Sequence, residues 1–358
     1  MSSSGTPHSS LSKQDTVRRS GDRTPLLTVR GLHVDYFDKA DPVHAVSGVD
    51  LDLRRGETLG IVGESGCGKS TLVTAITRLQ RPPAVTTAGS VVFHGHDGTE
   101  SVDVLRLTER QLADLRWENI AVVFQSAMNA LNPVLRLGSQ FADVLRRHSR
   151  LSKREAWERA GELLAMVGIP ADRLRSYAHE LSGGMRQRAT IALALACDPD
   201  LVVMDEPTTA VDVVMQRQIL RQVSRLKREL GFSVIFITHD LSLLIEIADR
   251  IAVMYAGKVV ETGPARQLYT DPQHPYTEAL RGAFPPLHGP RREITGIPGS
   301  PPGLRTLPAG CAFHPRCARR FEPCDKTTPP LLALGAGEAA CHLHQTVRGE
   351  EDHHARTR

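Results

Sequence analysis

Nine consecutive residues, Gly63-Glu64-Ser65-Gly66-Cys67-Gly68-Lys69-Ser70-Thr71, carry the first chemistry that the chain offers. Glycines at these spacings let the backbone curl until successive N–H groups point at phosphate oxygens, and a following helix adds its positive N-terminal end. Lys69 then reaches the β- and γ-phosphates of a nucleoside triphosphate, and the Ser70 hydroxyl ligates Mg²⁺. A second reactive pair, Asp205 and Glu206, closes the apolar run LVVM. Carboxylates so placed are expected at the carboxyl end of a buried strand, where parallel sheets hold their ligands. Asp205 is positioned to hold the Mg²⁺ shell through water, and Glu206 to polarise an attacking water as general base. The chemistry implied is phosphoryl transfer to water, with transition-state charge stabilised by the loop and the metal.

The segment Leu181-Ser182-Gly183-Gly184-Met185-Arg186-Gln187 narrows the class. It resembles the LSGGQ signature of ABC ATPases, departing at Met185, where Gln is usual. It lies about twenty residues upstream of Asp205 and opens an apolar helix, as that family requires. The resemblance implies that Ser182 and the amides of Gly183 and Gly184 donate to the γ-phosphate of ATP held by an opposite protomer. Complete ATP sites would then need two cassettes. By the same resemblance Gln125 is the Q-loop glutamine, touching Mg²⁺ and the lytic water. Thr209-Ala210-Val211-Asp212 is the D-loop, and His239 is the switch histidine that senses the γ-phosphate. Tyr36 is the aromatic that stacks on adenine, with Phe37 the alternative beside it.

These residues need elements to hold them. Short β-rich runs alternate with amphipathic stretches from Leu26 onward, which predicts an α/β fold with a largely parallel sheet covered by helices on both faces. LLTVRGLHVDYF, ETLGIVG, SVVFHG, NIAVVFQ, LVVMDEP, SVIFITHD and RIAVMYAG read as strands. KSTLVTAITRL reads as a helix, and further helices start near Asp212 and Leu241. The expected organisation is a disordered tail over 1–25 and a P-loop NTPase domain of the ABC type over 26–283. A helical subdomain occupies about 126–185, a small loop-rich C-terminal extension 284–345, and a second disordered tail 346–358.

A narrower resemblance covers SAMNALNP after Gln125, HPYTEAL from His274 and GCAFHPRC from Gly310. These segments are similar to the ATP-binding subunits of dipeptide and oligopeptide importers, a pattern shared by nickel and some oligosaccharide importers. Many relatives carry an acidic residue where this chain has Ser126. The resemblance implies a second and different ATPase subunit, two transmembrane permeases that receive the cassettes, and an extracytoplasmic substrate-binding protein. A non-transport ABC ATPase is the rival class, but such proteins carry two cassettes or a long coiled-coil insertion.

Six cysteines are unevenly spread: Cys67 and Cys197 stand alone, while Cys311, Cys317, Cys324 and Cys341 follow the spacing C-x5-C-x6-C-x16-C. Clustered thiols in a chain without a secretory signal read as a metal site before they read as disulfides. Zinc and a [4Fe–4S] cluster both accept four thiolates; the resemblance favours the cluster. His314, His342 and His344 are nearby substitute ligands. With 358 residues, 41% of them hydrophobic, and a formal charge of only +4, composition offers no argument for nucleic acid. No stretch approaches the ~18 apolar residues that span a bilayer. The expectation is a peripheral subunit on the cytoplasmic face of a membrane.

Overall fold

The computed structural model describes residues 24–38, 41–95, 101–125, 130–208, 212–283 and 296–345. Most of both tails, residues 126–129 and 209–211, and the start of the extension lie outside them. The elements run β1 (Pro25–Tyr36), β2 (Val43–Arg54), β3 (Thr58–Val62), α1 (Lys69–Ile76), β4 (Ala84–His94), β5 (Ser101–Asp103), α2 (Glu109–Glu118, broken at Arg116 and Trp117) and β6 (Ile120–Val123). There follow α3 (Leu137–His148), α4 (Lys153–Met166), α5 (Gly183–Ala194), β7 (Leu201–Asp205), α6 (Val213–Leu230), β8 (Ser233–Thr238), α7 (Leu241–Ile247) and β9 (Arg250–Tyr255). The chain closes with β10 (Lys258–Pro264), α8 (Ala265–Thr270), α9 (Pro275–Gly282), β11 (Leu332–Leu334) and β12 (Gly337–Ala339).

Every residue of β3, β7 and β8 is buried. Continuous apolar runs of this length suit central parallel strands, which have no wet face. They sit in an eight-stranded sheet ordered β11-β12-β10-β9-β3-β8-β7-β6, parallel from β9 to β6. Because side chains alternate across a strand, each run feeds two cores. Val202, Met204, Val234 and Phe236 enter one, with α3 to α9. Leu201, Val203, Ile235 and Ile237 enter the other, with α1 and α2.

The second core corrects one expectation. It is closed by a separate four-stranded antiparallel sheet, β2-β1-β4-β5, and not by helices alone. SVVFHG therefore belongs to β4 of that sheet, paired with β1, and not to the parallel one. The alternating burial of β2 marks it as a strand with one covered face.

On the opposite face α3 and α4 form a helical lobe between β6 and β7. Ser152 and Glu155 make a reciprocal capping box at the start of α4. α5 then runs to Ala194, past the boundary expected near residue 185. The 18-residue α6 buries Ile219, Leu220, Val223 and Leu226 along one stripe and stops at Gly231, whose φ is +78°.

Where the sequence reads as a loop-rich appendage, β11 and β12 extend the main sheet through β10, with Glu261 opposite Ala339. Phe313 is buried against Tyr255 and Tyr276, ring centroids 5.4 Å and 5.3 Å away. Among the described residues no helix is long and apolar enough to cross a membrane.

Candidate active site

The chain leaves β3 at Val62, turns through Gly63 to Gly68 and enters α1 at Lys69. Two glycines are obligatory by contact. A Cβ on Gly63 would lie 2.2 Å from the Met254 carbonyl oxygen, and one on Gly68 (φ +102°) 2.2 Å from that of Ala45. Within this cradle the buried Lys69 donates from Nζ to the carbonyl oxygens of Gly63 (2.7 Å) and Glu64 (3.0 Å). Ser65 and Gly66 form the exposed tip. Burial raises the pKa of the Cys67 thiol, despite the neighbouring Lys69, so it is not an activated thiolate.

Thr71 on α1 meets the Tyr36 hydroxyl at 3.0 Å. Tyr36 thus stands beside the loop, with Phe37 the more open ring at 48% exposure.

Ser70 donates from Oγ to Asp205 Oδ1 at 3.1 Å, joining the loop to the end of β7. Burial raises the Asp205 pKa, the Ser70 hydrogen bond opposes that, and the Glu206 charge adds to it. A buried carboxylate beside a hydroxyl is a hard-oxygen donor pair of the kind that suits Mg²⁺.

The three strand ends next to one another in the sheet carry a second cluster. Gln125 follows β6, Glu206 follows β7 and His239 follows β8. Gln125 donates from Nε2 to Glu206 Oε2 at 2.8 Å, and His239 Nδ1 lies 3.6 Å from Glu206 Oε1. Glu206 adopts a left-handed φ of +44° while its N–H donates to Ile237 O at 3.0 Å. Such a backbone costs about 1 kcal/mol or more in a non-glycine residue, and it turns the carboxylate out of the strand toward its two partners. A carboxylate held between an amide and an imidazole at the mouth of a phosphate cradle can orient and deprotonate a water.

Other expected residues stand apart from this cluster. Ser182 caps α5, accepting from the Met185 N–H at 3.3 Å, and a Cβ on Gly184 would sit 2.7 Å from Met215. Gly183 opens the same helix. Asp212 caps α6 through Met215 N–H at 2.9 Å. Residues 209–211 of the D-loop segment and the first four residues of SAMNALNP lie outside the described residues.

Sequence reasoning missed a set of contacts that reach the cradle from the C-terminal side. Glu64 accepts from Arg316 Nη1 (2.7 Å) and Nη2 (2.9 Å), and its N–H donates to the Tyr276 hydroxyl at 2.9 Å. Both residues sit in segments singled out by resemblance, HPYTEAL and GCAFHPRC. Nothing in those segments names the partner, which is 252 residues away from Arg316.

Cys311, Cys317, Cys324 and Cys341 line one small cavity with His274, His314 and His342. Burial raises the thiol pKa of Cys311, Cys317 and Cys341, the last to about 11, and the neighbouring Cys324 pushes each of these three further up. Cysteines lining one cavity are residues of the type that binds metal groups as thiolates. Yet among the described residues no three Cys, His, Asp or Glu side chains stand close enough to share one metal ion. Tetrahedral zinc, at about 2.3 Å from each sulfur, would need those sulfurs about 4 Å apart. His342 is no substitute ligand, because Nδ1 meets Gln345 Oε1 (2.6 Å) and Nε2 meets Thr327 O (2.8 Å). His314 and His344 each engage one ring nitrogen, Nδ1 with Cys311 O and Nε2 with Gln273 O respectively.

Comparison with known proteins extends over the same regions. Residues 46–209 match the ABC transporter family, and residues 260–324 match the oligopeptide/dipeptide transporter C-terminal region. The chain is 45% identical over 321 residues to a putative peptide import ATP-binding protein of Brucella melitensis, covering 87% of this chain and 95% of that one. It is 44% identical over 307 residues to the dipeptide transport ATP-binding protein DppD of Bacillus subtilis, covering 85% and 90%. Among solved structures it resembles an ATP-binding cassette captured as a dimer after hydrolysis, bound to ADP and Pi. That likeness has a TM-score of 0.59 and 28% identity, covering 67% of this chain and 99% of the other.

Proposed function

The chain belongs to the ATP-binding subunits of ABC transporters and hydrolyses ATP, and on that premise we propose that it drives import of di- and oligopeptides from the cytoplasmic face of a membrane. The observation that carries the reading is likeness along nearly the whole chain, cassette and C-terminal region together, to subunits named for peptide import.

In the mechanism Gly63 to Thr71 enclose the phosphates of ATP, and Lys69 exchanges its loop carbonyls for phosphate oxygens. Ser70 and Asp205 would hold Mg²⁺, which when bound would supply positive charge to offset that of the phosphates. Tyr36 stacks on the adenine. Glu206, held by Gln125 and facing His239, takes the proton of the attacking water. Ser182, Gly183 and Gly184, at the positive end of α5, act on the ATP of a second cassette, and Asp212 lies at that interface.

The second cassette is a related but different subunit. Two transmembrane permeases and an extracytoplasmic substrate-binding protein complete the assembly. By the resemblance of the cysteine set alone, Cys311, Cys317, Cys324 and Cys341 would hold a [4Fe–4S] cluster, with zinc the alternative. The group would staple a segment with little core of its own.

Affinity purification of the tagged chain from detergent-solubilised membranes tests the assembly. The expected result is a complex with two polytopic proteins and a second cassette, whose ATPase rate rises with peptide-loaded binding protein. Stimulation by nickel or oligosaccharide in place of peptide would reassign the cargo. Recovery with ribosomes or DNA would overturn a role in transport. Iron and acid-labile sulfide of about four each per chain are expected for the cluster; stoichiometric zinc without iron would refute it.

A further inference from the structure

The C-terminal extension touches the phosphate cradle directly. Arg316 grips both oxygens of Glu64, the second residue of the cradle, through a bidentate pair at 2.7 and 2.9 Å. The guanidinium is nearly buried, its side chain 6% exposed. It is held in place from all sides: Nε donates to Pro298 O (2.7 Å), Nη2 to Gly299 O (3.3 Å) and Nη1 to the Tyr255 hydroxyl (3.3 Å). Its Cζ lies 5.9 Å from the ring centres of Tyr255 and Phe313, a cation–π distance. Backbone and rings thus aim a planar fork at one carboxylate, a geometry that lysine could not reproduce.

Glu64 is an awkward residue for this place. A carboxylate on a loop built to surround a triphosphate repels the ligand. Its own backbone is also part of the cradle, since its carbonyl accepts from Lys69 Nζ and from the Cys67 N–H (3.3 Å). Releasing the side chain would leave a negative charge free to take Lys69 for itself.

We propose that Arg316 is a positioning residue of the nucleotide site: it neutralises Glu64 and holds it away from Lys69, so that the C-terminal extension sets the affinity for ATP. The inference rests on Gly63 to Thr71 being the ATP cradle. It gives the extension a role in the ATPase that stands whether or not its cysteines carry a metal group.

The test is a charge-rescue cycle on the full chain, read by titration with a fluorescent ATP analogue and by KM and kcat for ATP. Arg316→Ala is expected to weaken ATP binding about tenfold and to raise KM more than it lowers kcat. Arg316→Gln replaces it if the alanine variant does not fold, as judged by circular dichroism. Adding Glu64→Gln to either variant should restore affinity to within about threefold of wild type, because the charge that Arg316 offsets is then gone. A purely structural role for Arg316 predicts loss of thermal stability and no such rescue. Unchanged affinity in a folded Arg316 variant, or a loss that Glu64→Gln does not repair, would overturn the proposal. Wild-type protein that binds no analogue would overturn the cradle reading itself.

Discussion

The cassette and the C-terminal extension hold their reactive groups by different physics. In the cassette, Gln125, Glu206 and His239 are brought together by three neighbouring parallel strands whose residues are almost all buried. Register within a sheet buried on both faces is hard to shift, so strand ends become reliable mounting points. The extension has few apolar residues and, among its described residues, two three-residue strands. It is fixed by Phe313 between Tyr255 and Tyr276, by β12 on β10, and by polar ties to the cassette. Those ties include Arg316 on Glu64 and His344 on Gln273. Function therefore rests on a continuous core in one region and on a few individually decisive contacts in the other.

Four changes probe that contrast. The largest effect is expected at the strand ends. Glu206→Gln should lower ATP hydrolysis by about 10²–10⁴-fold while leaving ATP binding in place, as single-turnover kinetics and equilibrium binding would report. It should leave stability almost unchanged, because the carboxylate is not part of the core.

Phe313→Ala removes a buried aromatic of the extension and should cost about 3–5 kcal/mol in its unfolding. The fold difference predicts a biphasic melt, with the extension lost before the cassette. A single transition at the wild-type midpoint would show that the extension does not depend on this ring.

Acid should act on the same junction. His274 caps α9 by accepting the Tyr276 N–H at 3.0 Å, and burial lowers its pKa to about 4. Below pH 6.5 the unfolded chain protonates this histidine, whereas the folded protein resists until about pH 4. Stability falls across that window by on the order of 3 kcal/mol. Glu261, facing His274 and raised by burial, works in the opposite direction, since the folded state takes its proton first. Chemical denaturation between pH 7.5 and 4.5 should show the net decline, and His274→Asn, which keeps a capping acceptor, should flatten it.

The smallest effect is expected in the helical lobe. Ser152→Ala breaks the capping box of α4 at an exposed site and should cost about 1 kcal/mol. ATP turnover by the isolated chain should not follow it. A matching fall in turnover would mean that the lobe and the strand ends are less independent than their separate packing implies.

The same contrast explains what the sequence discloses. The cradle and the carboxylate pair are legible because each is a contiguous motif beside an apolar run, whereas Gln125 and His239 are single residues legible only through the family resemblance. β2 is not: its alternation is visible only once its partner β1 is known, so the antiparallel sheet is read as part of the parallel one. Arg316 is legible as part of a resemblance but not as a partner of Glu64, because a pair separated by 252 residues leaves no local pattern. The cysteines are legible as a set. Their spacing does not distinguish cluster from zinc, and it gives no sign that His342 is already satisfied.

The central claim is that hydrolysis at Glu206 powers peptide import. It is tested most directly by uptake of labelled di- and oligopeptides in cells producing either wild-type protein or Glu206→Gln at equal levels. The account predicts that uptake is lost in the variant and present in the wild type. Equal uptake of every peptide in both would contradict it.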